Sequence, residues 1–109
     1  MGNKIFQTSN IDMLLLKILL EKDLYGYEII LVLKEKSNLL FELKAGTIYP
    51  ILHSLEKEGL VISYEKETDA GKVRKYYKIT ECGRNALDGK MQKWKAYSEA
   101  VNHVLGWQN

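Results

Sequence analysis

The sequence predicts a mainly α-helical chain carrying one small β-hairpin and ending in a long helix. Three observations predict it. Apolar residues recur at helical spacing in several stretches on both sides of a single β-rich stretch. That stretch, from Leu60 to Ile79, is rich in β-branched and aromatic residues and is interrupted by Thr68-Asp69-Ala70-Gly71. Beyond Thr80, apolar residues return at seven-residue intervals to the end of the chain.

The elements follow in order. A first helix is predicted from about Asn10 to Glu21, with Ser9 as its N-cap and Asp12 three residues on, as in a capping box. Its residues Ile11, Met13, Leu14, Leu15, Leu16, Ile18, Leu19 and Leu20 are apolar on nearly every side, so it is enclosed on several faces, one of which a second subunit can supply. Lys22-Asp23-Leu24-Tyr25-Gly26 reads as a turn, followed by a second helix over Tyr27 to Lys36 and a loop to Lys44. The third helix runs to Glu58 with Ile48, Ile51, Leu52 and Leu55 inward, and Gly59 suits its left-handed end. Its start has two readings. With Thr47 as N-cap, Pro50 falls in the first turn, where its missing N–H is harmless. With a start at Ala45, Pro50 removes a helical hydrogen bond.

The hairpin pairs Leu60–Glu65 with Val73–Ile79. Alternation places Val73, Tyr77 and Ile79 on one face and Arg74, Tyr76 and Lys78 on the other. Thr80 caps the last helix and Glu81 complements its first turn. That helix runs to about Leu105, roughly 35–40 Å. Leu87, Trp94 and Val101 form one row, Met91, Ser98 and Leu105 a second, and Tyr97 and Val104 extend a third. A domain of this size does not need so long a helix for its own core, and the stripe predicts packing against another chain.

Composition narrows the function. The 109 residues suit one domain, and the net charge of +2 says little about a partner. Local charge says more: four of the seven residues from Lys72 to Lys78 are Lys or Arg, just after Glu65, Glu67 and Asp69. The single cysteine, Cys82, allows no disulfide within the chain and fits a reducing compartment. In the first turn of a helix its thiol could be a redox sensor, but a small, buried or half-buried packing residue is the plainer reading. His53 and His103 have no Cys or acidic cluster at metal-ligand spacing, so no metal or other cofactor is expected. The longest apolar run, Met13–Leu16, is too short for a membrane. The opening Met1-Gly2-Asn3-Lys4-Ile5-Phe6 lacks the marks of a myristoylation or secretory signal, so a cytoplasmic protein is expected.

Three helices followed by a two-stranded basic hairpin is the order of a winged helix-turn-helix. There the helix before the hairpin enters the DNA major groove and the wing meets phosphates. The candidate groove helix offers Lys44, Thr47, Tyr49, His53, Ser54 and Lys57, and the wing Lys72, Arg74, Lys75 and Tyr76. Each has a plainer reading: a basic strand is usually a solvated face, Thr47 a cap, Tyr49 a packed ring. Their combination favours double-stranded DNA. A winged helix used only for protein association has no need of Arg74 and Lys75. An enzyme is disfavoured, since no nucleophile–base pair, phosphate-cradling loop or metal set is present in the sequence.

The run Gly46-Thr47-Ile48-Tyr49-Pro50-Ile51-Leu52, then Leu55-Glu56-Lys57-Glu58-Gly59-Leu60-Val61, resembles PadR-family transcriptional regulators. So do Tyr25-Gly26-Tyr27-Glu28-Ile29 and the stretch Gly71–Thr80 with its Arg-Lys-Tyr-Tyr. The resemblance spans nearly the whole chain and is closest to the short subfamily. It implies a homodimer, usually a repressor, on a pseudo-palindromic operator. Residues 1–80 would form the DNA-binding part and 81–109 the dimerisation helix, within one compact unit. Leu87, Met91, Trp94, Val101, Val104 and Leu105 would pair the subunits. Some short members bind flat hydrophobic molecules at the dimer interface, a tryptophan of the last helix stacking on the ligand. Trp94 lies at the matching place near Met91 and Tyr97, with Asn10 and Ile11 from the first helix. The alternative is that Trp94 only fills the interface.

Overall fold

The computed structural model describes residues 10–107. Helix α1 spans Ile11–Glu21, strand β1 Leu24–Tyr25, α2 Gly26–Lys36, α3 Ala45–Lys57, β2 Val61–Glu67, β3 Val73–Ile79 and α4 Glu81–Leu105. Among the described residues no helix is long and apolar enough to cross a membrane.

Helix α1 is the centre of the core. Its Ile11, Leu15, Leu16 and Leu19 are fully enclosed, and it packs against α2, α3, α4 and β3 of its own chain. The chain itself therefore encloses the faces that the sequence leaves open to a second subunit. Ser9 lies outside the described residues. The helix starts after Asn10, which is left-handed at φ 66°, and the Asp12 carboxylate accepts the neighbouring Met13 N–H at 2.8 Å.

The segment after α1 differs from the expected turn. Leu24 and Tyr25 form a strand paired antiparallel with β3, Leu24 opposite Tyr77 and Tyr25 opposite Tyr76. The sheet thus has three strands in the order β1-β3-β2. Helix α2 begins immediately at Gly26, and Glu28 reaches back to accept the Tyr25 N–H at 3.2 Å, which occupies a donor at the helix entrance. A Cβ at residue 26 would overlap the end of the Tyr49 ring, so glycine lets that ring lie against the start of α2.

Helix α3 takes the earlier of its two possible starts. Lys44 is its N-cap, and its carbonyl accepts the N–H groups of Thr47 (2.9 Å) and Ile48 (3.1 Å). Thr47 is a half-buried helical residue, not the cap, and Pro50 lies inside the helix. The missing Pro50 N–H leaves the Gly46 carbonyl without its helical donor. The other end is well closed. Gly59 is left-handed at φ 77°, its N–H reaches the Glu56 carbonyl (3.0 Å), and the Leu60 N–H reaches that of Leu55 (2.9 Å), a Schellman arrangement.

Strands β2 and β3 pair from Val61–Ile79 to Glu67–Val73. They run two residues further than expected on the β2 side. Tyr77 and Ile79 are buried as alternation predicts, but Val73 is 62% exposed, because the hairpin has by then left the body. Thr80 then joins three elements. Its N–H donates to the Leu60 carbonyl (3.0 Å), its hydroxyl donates to the Gly59 carbonyl (2.7 Å), and the same oxygen accepts the Gly83 N–H (2.9 Å) as the cap of α4. Gly83 is buried against the Leu60 carbonyl, where a Cβ would overlap backbone. Leu87 is the last fully buried residue of α4; the helix then leaves the body, and the molecule measures 53 × 28 × 25 Å.

The clasp at Leu60 gives a direct test. The backbone at Gly83 faces a carbonyl that cannot rotate away, so Gly83→Ala should cost about 2 kcal/mol or more despite its gain in helix propensity. Denaturant unfolding should show a lower midpoint with an unchanged slope, whereas Gly89→Ala, which meets open space, should raise it.

Candidate nucleic-acid interface

Helix α3 buries Ile48, Leu52 and Leu55, which leaves its opposite side to solvent. Lys44, Tyr49, His53, Ser54 and Lys57 are exposed and Thr47 is half-buried. They do not form one surface. Tyr49 lies on the α2 side, its hydroxyl against Gly26. Ser54 lies on the other flank, where with Asn10, Asp12, Pro50, Ile51, Leu55 and Glu58 it lines a shallow cleft beside the start of α1. Pro50, His53 and Lys57 follow one another at helical spacing between these flanks.

The pleat divides the wing's charges between two faces, as alternation along β3 predicts. Lys66 stands opposite Arg74, and Glu65 opposite Lys75. Arg74 and Lys75 therefore occupy opposite faces. On the face away from α3, Tyr25, Tyr76 and Tyr64 form a ladder across all three strands. The Tyr64 and Tyr76 rings stack at 5.7 Å and Tyr25 meets Tyr76 edge-on at 5.4 Å. Arg74 sits 5.4 Å over the Tyr25 ring and Lys66 5.4 Å over Tyr76. Tyr76 is thus half-buried in a brace between the wing and β1. Lys66 belongs with the wing's cations; the sequence reading missed it because it lies in the acidic-looking strand, and only the hairpin register pairs it with Arg74.

The other face, beside α3, is mixed in charge. Lys75 approaches the Glu56 carboxylate at 3.9 Å and sits 5.6 Å from the Tyr77 ring centroid. Glu56 also accepts the Ser63 hydroxyl at 2.6 Å, a short bond that ties α3 to β2. Lys72, near the hairpin tip, is exposed.

The C-terminal helix separates residues that periodicity groups together. Met91, Trp94, Tyr97, Val101, Val104 and Leu105 are exposed, Val104 at 88%, but Leu87 is 2% exposed in the chain's own core. It therefore contributes packing within the chain. Ile11 is likewise fully buried and does not line the cleft beside Trp94. That cleft is bounded by Asn10, Asp12, Lys90, Lys93, Trp94 and Tyr97, with Lys90 paired to Asp12 at 2.9 Å and the Trp94 and Tyr97 rings 5.9 Å apart. Asn10, Trp94 and Tyr97 come together there; Met91 is exposed on α4 but does not bound it. Cys82 is exposed rather than buried or half-buried, since Gly83 and Leu87 take the inward positions. No group of three or more potential metal ligands occurs among the described residues.

Electrostatics in the tyrosine ladder are distinctive. The Tyr64 hydroxyl donates to the Asp23 carboxylate at 2.7 Å. That bond, with smaller contributions from desolvation and from the charge of Asp23, pushes the Tyr64 pKa up to about 12. Tyr76 is also raised, first by desolvation and then by nearby Glu28. Tyr77 is raised by burial, then by Glu56. A phenol whose folded pKa lies above its unfolded value stabilises the fold fully below pH 10 and loses that contribution as pH rises through about 12. Ultraviolet titration should show a late-ionising tyrosine, and Asp23→Asn should move it back toward the ordinary range. An unchanged titration would exclude this bond in solution.

The fold matches known proteins. Residues 15–89 match the Transcriptional regulator PadR-like family. A transcriptional regulator of Mycobacterium tuberculosis is 38% identical over 69 residues, covering 63% of this chain and 61% of that protein. The structure of a transcriptional regulator from Clostridium thermocellum superposes with a TM-score of 0.80 at 32% identity, over 93% of this chain and 96% of the other. A PadR family transcription regulator from Clostridium difficile gives a TM-score of 0.76 at 36% identity, over 89% and 99%. With a family match over residues 15–89 and superposition along most of its length, the chain belongs to the PadR-like family of transcriptional regulators.

Proposed function

We propose that this regulator acts as a homodimer that binds double-stranded DNA at a pseudo-palindromic operator and represses transcription. The observation that carries the reading is the pairing of a solvent-facing α3 with a braced, cation-bearing wing. Pro50, His53 and Lys57 offer an edge for the major groove. Lys66, Lys72, Arg74 and Lys75 supply cations for phosphates, and Lys44 adds one at the start of α3. Tyr76 supports this surface from behind. Residues 1–80 read DNA and residues 81–109 pair the subunits, and the protein works in the cytoplasm without catalysis, metal or cofactor.

The dimer is supported by the part of α4 beyond Leu87. It carries Met91, Trp94, Val101, Val104 and Leu105 into solvent on the single chain, an apolar stripe that association would cover. The Trp94–Tyr97 cleft is the candidate site for a flat hydrophobic effector, with Asn10 at its edge and Met91 nearby.

Two measurements test this. Binding to random duplex should fall steeply with salt, and replacing Arg74 and Lys75 together by Ala should weaken every sequence, flattening the slope by about one contact's worth on random duplex and by up to about two on a preferred site. Loss confined to one sequence would overturn the phosphate role, and no binding to any duplex would sink the DNA reading. In sedimentation the protein should be a dimer at micromolar concentration and Val101→Asp with Leu105→Asp a monomer. A monomeric wild type would remove both the dimer and the symmetric operator.

A further inference from the structure

The wing cation nearest the groove helix is already engaged by the protein. Lys75 faces Glu56, whose second oxygen is fixed by the Ser63 hydroxyl at 2.6 Å. The carboxylate is therefore held in place, with its other oxygen 3.9 Å from the Lys75 ammonium. The Tyr77 ring flanks the same ammonium. Both members of the ion pair retain solvent access, with side-chain exposures of 55% for Lys75 and 33% for Glu56. A pair of that kind is weak and exchangeable. Glu65 lies across the hairpin from Lys75, but the ion pair goes to Glu56. Arg74 and Lys66, by contrast, rest on tyrosine rings on the other face and, among the described residues, meet no carboxylate at ion-pair distance.

We infer that Glu56 is a specificity-determining residue: its carboxylate, fixed by Ser63, occupies Lys75 until a correctly seated duplex phosphate displaces it. The inference rests on the DNA-binding reading above. Its physical logic is competition. On random duplex the backbone does not sit reproducibly between α3 and the wing, so Lys75 stays with Glu56 and contributes no counterion release. On a preferred site the groove contacts of α3 place a phosphate within reach, and Lys75 exchanges partners. An internal anion thereby weakens non-specific binding more than specific binding, which raises the ratio between them.

The test uses the full chain, random duplex, and a duplex selected by the wild-type protein from a random pool. Glu56→Gln keeps an acceptor for Ser63 and removes the charge. It should tighten random-duplex binding, steepen its salt slope by about 0.9, the value of one added phosphate contact, and leave the selected duplex nearly unchanged. In a Lys75→Ala background the same substitution should have no effect on the slope. Glu65→Gln, an equal charge change on the same face, should give a smaller effect. The inference is overturned if Glu56→Gln strengthens both duplexes alike, or does so without Lys75, since the carboxylate then merely repels DNA. It is also overturned if both duplexes weaken, which marks a purely structural brace. A wild type that binds neither duplex fails the DNA reading itself, and this inference with it.

Discussion

The carbonyl of Leu60 is where the architecture is fixed. It accepts the Thr80 N–H, and Gly83 packs against it too closely to admit a side chain. Leu60 is also the residue whose N–H closes the end of α3, and Thr80 is the cap of α4. One short stretch of backbone therefore joins the exit of α3, the base of the wing and the root of the last helix. Gly59 makes the stretch possible by turning left-handed at φ 77°. The angle between α3, the wing and α4 follows from this junction, because three backbone directions meet with little slack.

The wing is held by a different kind of contact. Hairpins of two strands are marginal in water, and the outer half of this one has left the core. Two devices compensate. On one face β1 adds a third strand and the ladder of Tyr25, Tyr76 and Tyr64 runs across it, fastened at its far side by Asp23. On the other face Glu56 connects α3 to Ser63. The wing is braced from both sides near its base, so its register is held where it joins the body.

Much of this was legible in the sequence. The long helices, the closure at Gly59, the cap at Thr80 and the hairpin all carry local signals of periodicity or turn chemistry. What was hidden depended on partners distant in the chain. Strand β1 has two residues, too few for alternation to show, and is defined only by its pairing with β3. The start of α3 carried no capping side chain, because Lys44 has no oxygen to offer the first turn. Leu87 shares its row with Trp94 and Val101, and helical spacing cannot tell which members of a row meet the chain's own core. Ile11 and the faces of α1 posed the same ambiguity. At the candidate interface the cations were visible as a cluster and alternation along β3 already separated Arg74 from Lys75, but the pairing of Lys66 with Arg74 and the part of Glu56 required the register of the hairpin and its closure on α3.

The exit of α4 from the body after Leu87 has a mechanical consequence. From there to Leu105 the helix extends over about 27 Å. A tilt of about 10° at the root moves the far end by about 5 Å, more than the 3.4 Å step between neighbouring base pairs. The Asp12–Lys90 pair lies close to that root. A small change in angle there is magnified along the lever, so a disturbance of atomic size near Asn10 and Asp12 would displace the far end of α4 by several ångströms.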